Sequence, residues 1–181
     1  MANYISQVIT PRVPSNFIKR CTAPAGGITA GSYVIVDTLD NTISGNISVF
    51  TAGATTAENI KGKNIGIVLS GGFETLADGR RPDGQPNYYS YTYQAGETVD
   101  VAIIGEGLAF NIGLDCITTA TVGAATVGAF VYPVAATAQP TAGATVPADT
   151  NGAMKIVALY NTPIGGNYGA GFASSLICIA V

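Results

Sequence analysis

Histidine and tryptophan are absent from this 181-residue sequence, and charged residues make up only 10% of it. Without histidine the chain lacks the commonest general base and metal ligand near neutral pH. A Ser-His-Asp or Cys-His site is therefore impossible within one chain. Charge is scarce beside the roughly 25% of an average soluble domain, so the polar surface has to be built from Thr, Ser, Asn and backbone. Little charge repulsion then opposes association. Such a surface suits a protein covered by partners or held in an assembly, although a sparsely charged free domain has the same composition.

Other absences narrow the classes further. Cysteine occurs three times, at Cys21, Cys116 and Cys178. The number is odd and no pair has C-x-x-C spacing, so neither a disulfide framework nor a zinc site is signalled. Cys116 and Cys178 lie in apolar stretches and read as buried small hydrophobes. Met1 to Ser6 has no basic leader, and Pro11 and Pro14 interrupt any apolar core behind it, which points to synthesis in the cytoplasm. Residues 116–148 contain no charged side chain. Pro133, Pro140 and Pro147 nevertheless forbid a membrane-spanning helix there. The net charge of −3 argues against nucleic acid as a partner. Residues 1–20 carry Arg12, Lys19 and Arg20 without an acid, a charge of +3, while the other five bases and eleven acids sum to −6. A basic segment on an acidic body can dock on an acidic neighbour, or can simply be solvated.

What is present is strand signal. Short Val, Ile, Phe and Tyr runs recur between Gly, Pro, Asn and Asp, and no window keeps helical spacing. Residues 1–20 are extended and proline-punctuated, predicting an arm outside the core. The strands expected behind it are Tyr33–Val36, Ile47–Thr51, Asn64–Leu69, Val99–Ile104, Gly107–Ile112, Ala129–Val134, Lys155–Tyr160 and Leu176–Val181. The fold class is all-β: a small barrel or sandwich of about eight short strands over residues 21–181. Runs such as Val101-Ala102-Ile103-Ile104 and Ile177-Cys178-Ile179-Ala180-Val181 are apolar throughout rather than alternating. They predict strands covered on both faces, with a neighbouring subunit of a homo-oligomer on the outer one.

Residues 71–94 break the pattern, being polar and turn-rich, and read as an excursion between two strands. Tyr88, Tyr89, Tyr91 and Tyr93 close it. Alternation puts Tyr89, Tyr91 and Tyr93 on one face of a strand, where the rings form either a contact surface or the rim of the core at an edge strand.

Site chemistry is weak throughout. Ser70-Gly71-Gly72 lacks the spacing of a nucleophile elbow, and Gly105-Glu106-Gly107 lacks the context of a dinucleotide loop. Glu74, Asp78 and Asp83 are too sparse for a calcium loop and surround Arg80 and Arg81. Asn46-Ile47-Ser48 is a glycosylation sequon without a secretion signal. The reading is of a non-enzyme with no cofactor and no metal.

The order of the segments carries more than any one of them. Thr22-Ala23-Pro24-Ala25-Gly26-Gly27-Ile28-Thr29-Ala30-Gly31 leads into a strand. Asn64-Ile65-Gly66-Ile67-Val68-Leu69, Ala95-Gly96-Glu97-Thr98-Val99-Asp100-Val101 and Gly107-Leu108-Ala109-Phe110 follow in turn. Ala125-Thr126-Val127-Gly128-Ala129-Phe130-Val131-Tyr132, Lys155-Ile156-Val157-Ala158-Leu159 and Leu176-Ile177-Cys178-Ile179-Ala180-Val181 complete the series. This order resembles the small capsid decoration, or cement, proteins of tailed bacteriophages from Cys21 to Val181, apart from 71–94. The chain departs from them in lacking a glycine at Ile156-Val157, in its long loop Asn161–Ala173 and in residues 1–20.

The resemblance implies a β-barrel-like domain, often trimeric, that binds the outer surface of the virion and stabilises the shell without catalysis or cofactor. Its partner would be the major capsid protein. The arm would supply contacts to the capsid or a neighbouring protomer through Tyr4, Ile5, Val8, Arg12, Phe17, Lys19 and Arg20. Two other readings fit the same sequence. One is a glycan- or receptor-binding surface module built on Tyr88, Tyr89, Tyr91 and Tyr93; the other is a self-assembling coat subunit.

Overall fold

A computed structural model describes residues 4–10, 17–40, 49–53, 64–70, 92–135, 137–164 and 171–181. Within these the chain forms thirteen strands and two single-turn 3-10 helices, Leu114–Cys116 and Val122–Ala124. The strands are β1 (Ser6–Val8), β2 (Ile18–Thr22), β3 (Ile28–Thr29), β4 (Tyr33–Asp40), β5 (Val49–Gly53), β6 (Ile65–Val68) and β7 (Thr92–Tyr93). They continue as β8 (Thr98–Ile103), β9 (Ala109–Gly113), β10 (Phe130–Tyr132), β11 (Thr141–Gly143), β12 (Met154–Ile164) and β13 (Gly171–Ala180). The protein is all-β, and each of the eight expected strands is present.

Two sheets make the body. One is a closed five-stranded barrel, ordered β2-β5-β4-β6-β8, and the other a six-stranded sheet ordered β1-β9-β13-β12-β10-β11. The barrel closes through β2, which pairs antiparallel with β8 and parallel with β5. β3 and β7 form a separate two-stranded ribbon.

Side-chain alternation along the barrel strands builds two cores. On β4, Tyr33 and Ile35 join the larger cluster, which lies against the six-stranded sheet, while Val34 and Val36 join a smaller cluster within the barrel. On β8, Val99 and Val101 turn into the barrel and Ala102 turns to the sheet. Successive side chains of a strand face opposite ways, so a strand with a core on each side must be apolar at every position. That is the origin of the run Val101-Ala102-Ile103-Ile104. The neighbouring subunit expected on its outer face is not needed there, because the chain's own second sheet fills that place.

The sheet side of the larger cluster is made by Phe110 and Ile112 of β9, Met154 and Ile156 of β12, and Leu176, Cys178 and Ala180 of β13. Tyr33 spans the two layers. It is 1% exposed, and its hydroxyl donates to the carbonyl of Gly152 at 3.1 Å.

The described residues of the segment 1–20, namely 4–10 and 17–20, do not form a free arm. Ser6, Gln7 and Val8 pair with Ile112, Asn111 and Phe110, adding β1 to the edge of the six-stranded sheet. Ile18 to Thr22 run opposite Ala102 to Thr98 as a wall of the barrel. Lys19 and Arg20, two of the basic residues that read as an arm, belong to a strand with one wet face: on β2 Ile18 and Arg20 are exposed and Cys21 is buried.

Candidate contact site

The residues expected to make contacts fall into three groups. Ile5 is fully buried, while Tyr4, Val8 and Phe17 are half-buried and packed against the larger core cluster. Phe17 lies over Gly105 so closely that a Cβ there would overlap its ring. All four side chains pack in the fold of their own chain, and for the buried Ile5 this corrects its assignment to an external partner.

Arg20 faces Asp100 across the β2–β8 pairing, with its Nε 3.7 Å from the carboxylate. Both side chains are partly exposed, so the pair contributes at most about 1 kcal/mol. Its consequence is that the Arg20 charge already has an acid within the chain. Lys19 is half-buried on the same strand. Arg12 lies outside the described residues.

Tyr93 is likewise a core residue. It is 3% exposed within the barrel cluster, and its hydroxyl donates to the Leu69 carbonyl at 3.1 Å. As a surface contact it is therefore corrected. Tyr88, Tyr89 and Tyr91 lie outside the described residues.

The three cysteines are free and buried. Burial, with a smaller push from Asp115, raises the Cys116 thiol to about 12, and burial raises Cys178 to about 12. Neither carries appreciable thiolate near neutral pH. Cys116 instead donates to the carbonyl of Ile5 at 3.3 Å, with the Ala30 carbonyl at 3.6 Å. It joins the first strand's approach to the entry of the barrel. Among the described residues no group of His, Cys, Asp and Glu is placed to hold a metal ion. None of their helices is long and apolar enough to cross a membrane.

The exposed apolar surface gathers elsewhere. Val157, Leu159 and Tyr160 on β12 are 40%, 62% and 51% exposed, and Ile179 on β13 with Val181 just after it are 37% and 61% exposed. A depression of about 580 Å³, lined by Leu114, Leu159, Tyr160, Asn161, Ser174 and Ser175, lies beside the same hairpin. A second, of about 500 Å³, lies between β3, β4 and the loop at Ala138 and Gln139, with mainly apolar walls. Sequence reasoning missed the hairpin surface. Its signal was legible: no charged side chain occurs from Ile156 to Val181.

Comparison of the chain with family models, curated proteins and solved structures finds no match in any of the three.

Proposed function

We propose that this chain is a structural virion protein that binds the outer surface of a tailed-phage capsid and stabilises the shell. The observation that carries the reading is the order of glycine-punctuated segments from Thr22 to Val181, which resembles the capsid decoration proteins. Composition supports it. A chain with 10% charged residues and abundant Ala, Thr and Gly suits a contact made of many modest interactions repeated by symmetry, where total buried area and multivalency replace individually strong contacts. The partner in this reading is the major capsid protein. The protein is made in the host cytoplasm, acts without catalysis or cofactor, and assembles as a homo-oligomer, a trimer by the resemblance.

In this reading Ile5 serves the chain's own core, while Lys19 and Arg20 on β2 remain candidates for the contact. A glycan-binding reading loses Tyr93 to the core and gains no observation in its favour, so it is not carried forward. The test is co-sedimentation of the purified protein with shells of the encoding phage assembled without it. Saturable binding at a fixed number of copies per shell is expected. Absence of binding from a folded preparation refutes the reading.

A further inference from the structure

The loop between β11 and β12 contains the sequence's one Asn-Gly pair, Asn151-Gly152. Each of the other asparagines is followed by Tyr, Phe, Thr or Ile. The difference is chemical. The peptide nitrogen after an asparagine can attack that residue's own side-chain amide carbon, and a bulky or β-branched side chain obstructs the approach. Glycine has no Cβ and a wide choice of φ and ψ, so it obstructs least.

The fold leaves this pair open to reaction. Asn151 is exposed, as are Pro147, Ala148 and Asp149 before it, and none of these lies in a strand. Among the described residues the Gly152 N–H donates to no backbone carbonyl, so no ladder bond holds the attacking nitrogen in place. Asn111 and Asn161, by contrast, lie within β9 and β12. Nor can the fold dispense with the glycine. Gly152 stands at φ +75°, and a Cβ on it would come within 2.7 Å of Ile65 Cγ2. Its carbonyl accepts the hydroxyl of the buried Tyr33 at 3.1 Å. Packing therefore demands the least obstructing residue at a point where the two layers are tied together.

We infer that Asn151 is a site of spontaneous modification in the folded protein, deamidating through a cyclic imide with water as co-reactant. The Gly152 nitrogen loses its proton and forms a bond to Asn151 Cγ. The Cγ–Nδ2 bond breaks, and the side-chain nitrogen takes up the proton and leaves as ammonia. Water then adds to one of the two imide carbonyl carbons, whose bond to the Gly152 nitrogen breaks. Opening at Cγ leaves an aspartate. Opening at the Asn151 carbonyl carbon leaves an isoaspartate, whose main chain runs through Cβ and Cγ and is one methylene longer. Either product adds a negative charge, and the isoaspartate also displaces Gly152, the acceptor of the Tyr33 hydroxyl. This site is independent of the capsid reading, since it is observed on the purified chain.

The test is incubation of the folded full chain at mildly alkaline pH over days, followed by peptide mapping with mass spectrometry. A mass gain of about 1 Da is expected first in the peptide carrying Asn151, with reactivity toward an isoaspartyl methyltransferase. Asn151→Gln, which would have to close a larger ring, should lose both signals and keep its circular dichroism and melting. The isoaspartyl protein is expected to melt below Asn151→Asp, which carries the same charge on an ordinary main chain. Equal melting of the two overturns the link to Tyr33. The site itself is overturned if Asn151 keeps its mass in the native protein, with the urea-unfolded chain as the positive control. A native protein in which another asparagine reacts first overturns it equally.

Discussion

Ser6 and Ser70, 64 positions apart, are joined by three hydrogen bonds. The Ser6 N–H donates to Ser70 Oγ at 3.0 Å, and the Ser70 N–H and hydroxyl both donate to the Ser6 carbonyl, at 2.7 and 2.9 Å. They fasten β1 to the end of β6, tying the edge of the sheet to the wall of the barrel. The N-terminal segment is thus part of the structure it was expected to reach out from.

Removal of residues 1–20 should therefore destabilise the whole domain rather than delete a docking arm alone. It takes away β1, most of the barrel strand β2, and the buried side chain of Ile5. Ile5→Ala alone is expected to cost about 2–5 kcal/mol, and Ser70→Ala about 1–3 kcal/mol, because it leaves the Ser6 N–H without its acceptor. Urea denaturation followed by circular dichroism measures both. Loss of binding by the truncated chain is informative about docking only if that chain is folded.

Gly31 should tolerate no side chain. It sits at φ +79°, and a Cβ built on it would run into the Cβ and Sγ of Cys116. Gly31→Ala combines left-handed backbone strain with overpacking, each of order 1–3 kcal/mol. Thermal melting should show a clear loss of stability. Ala substituted at Gly26, where a Cβ meets nothing within 4 Å, should be nearly silent.

Stability should fall at alkaline pH. Cys116 and Cys178 ionise near 9 when exposed and at about 12 in the fold, and burial holds the Tyr33 hydroxyl well above its ordinary value of 10.0. Between about pH 9 and 12 the unfolded chain loses these thiol protons while the folded chain keeps them. The unfolded state then binds fewer protons, so the unfolding free energy declines as pH rises, by up to about 1.4 kcal/mol per unit for each thiol. Below pH 9 this contribution is fully present. Denaturant titrations across that range check the slope, which Cys178→Ala should reduce. At pH 8 thiol reagents should label the unfolded chain readily and the native one slowly.

Much of the fold was legible because bulky β-branched runs between turn residues mark strands, and all eight expected runs became strands. The strands that escaped notice have other signatures. β2, with Lys19 and Arg20, shows water one face and hides Cys21 on the other, while β11, Thr141-Ala142-Gly143, has no bulky residue to announce it. The contact site was less legible. An apolar strand reads the same whether its second face meets the chain's own sheet, as at Ala102, or solvent, as at Ile179. Only topology distinguishes them. Tyr93 shows the same ambiguity, since an aromatic beside polar neighbours marks a surface platform or a core plug equally well, and here its ring closes the barrel cluster.

The most direct measurement of the capsid-binding account is a difference map between shells of the encoding phage with and without this protein, reconstructed by electron cryomicroscopy. The account predicts discrete density for the protein on the outer surface, repeated at symmetry-equivalent positions and absent from the undecorated shell. Shells that show no added density at saturating concentrations of the folded protein would contradict it.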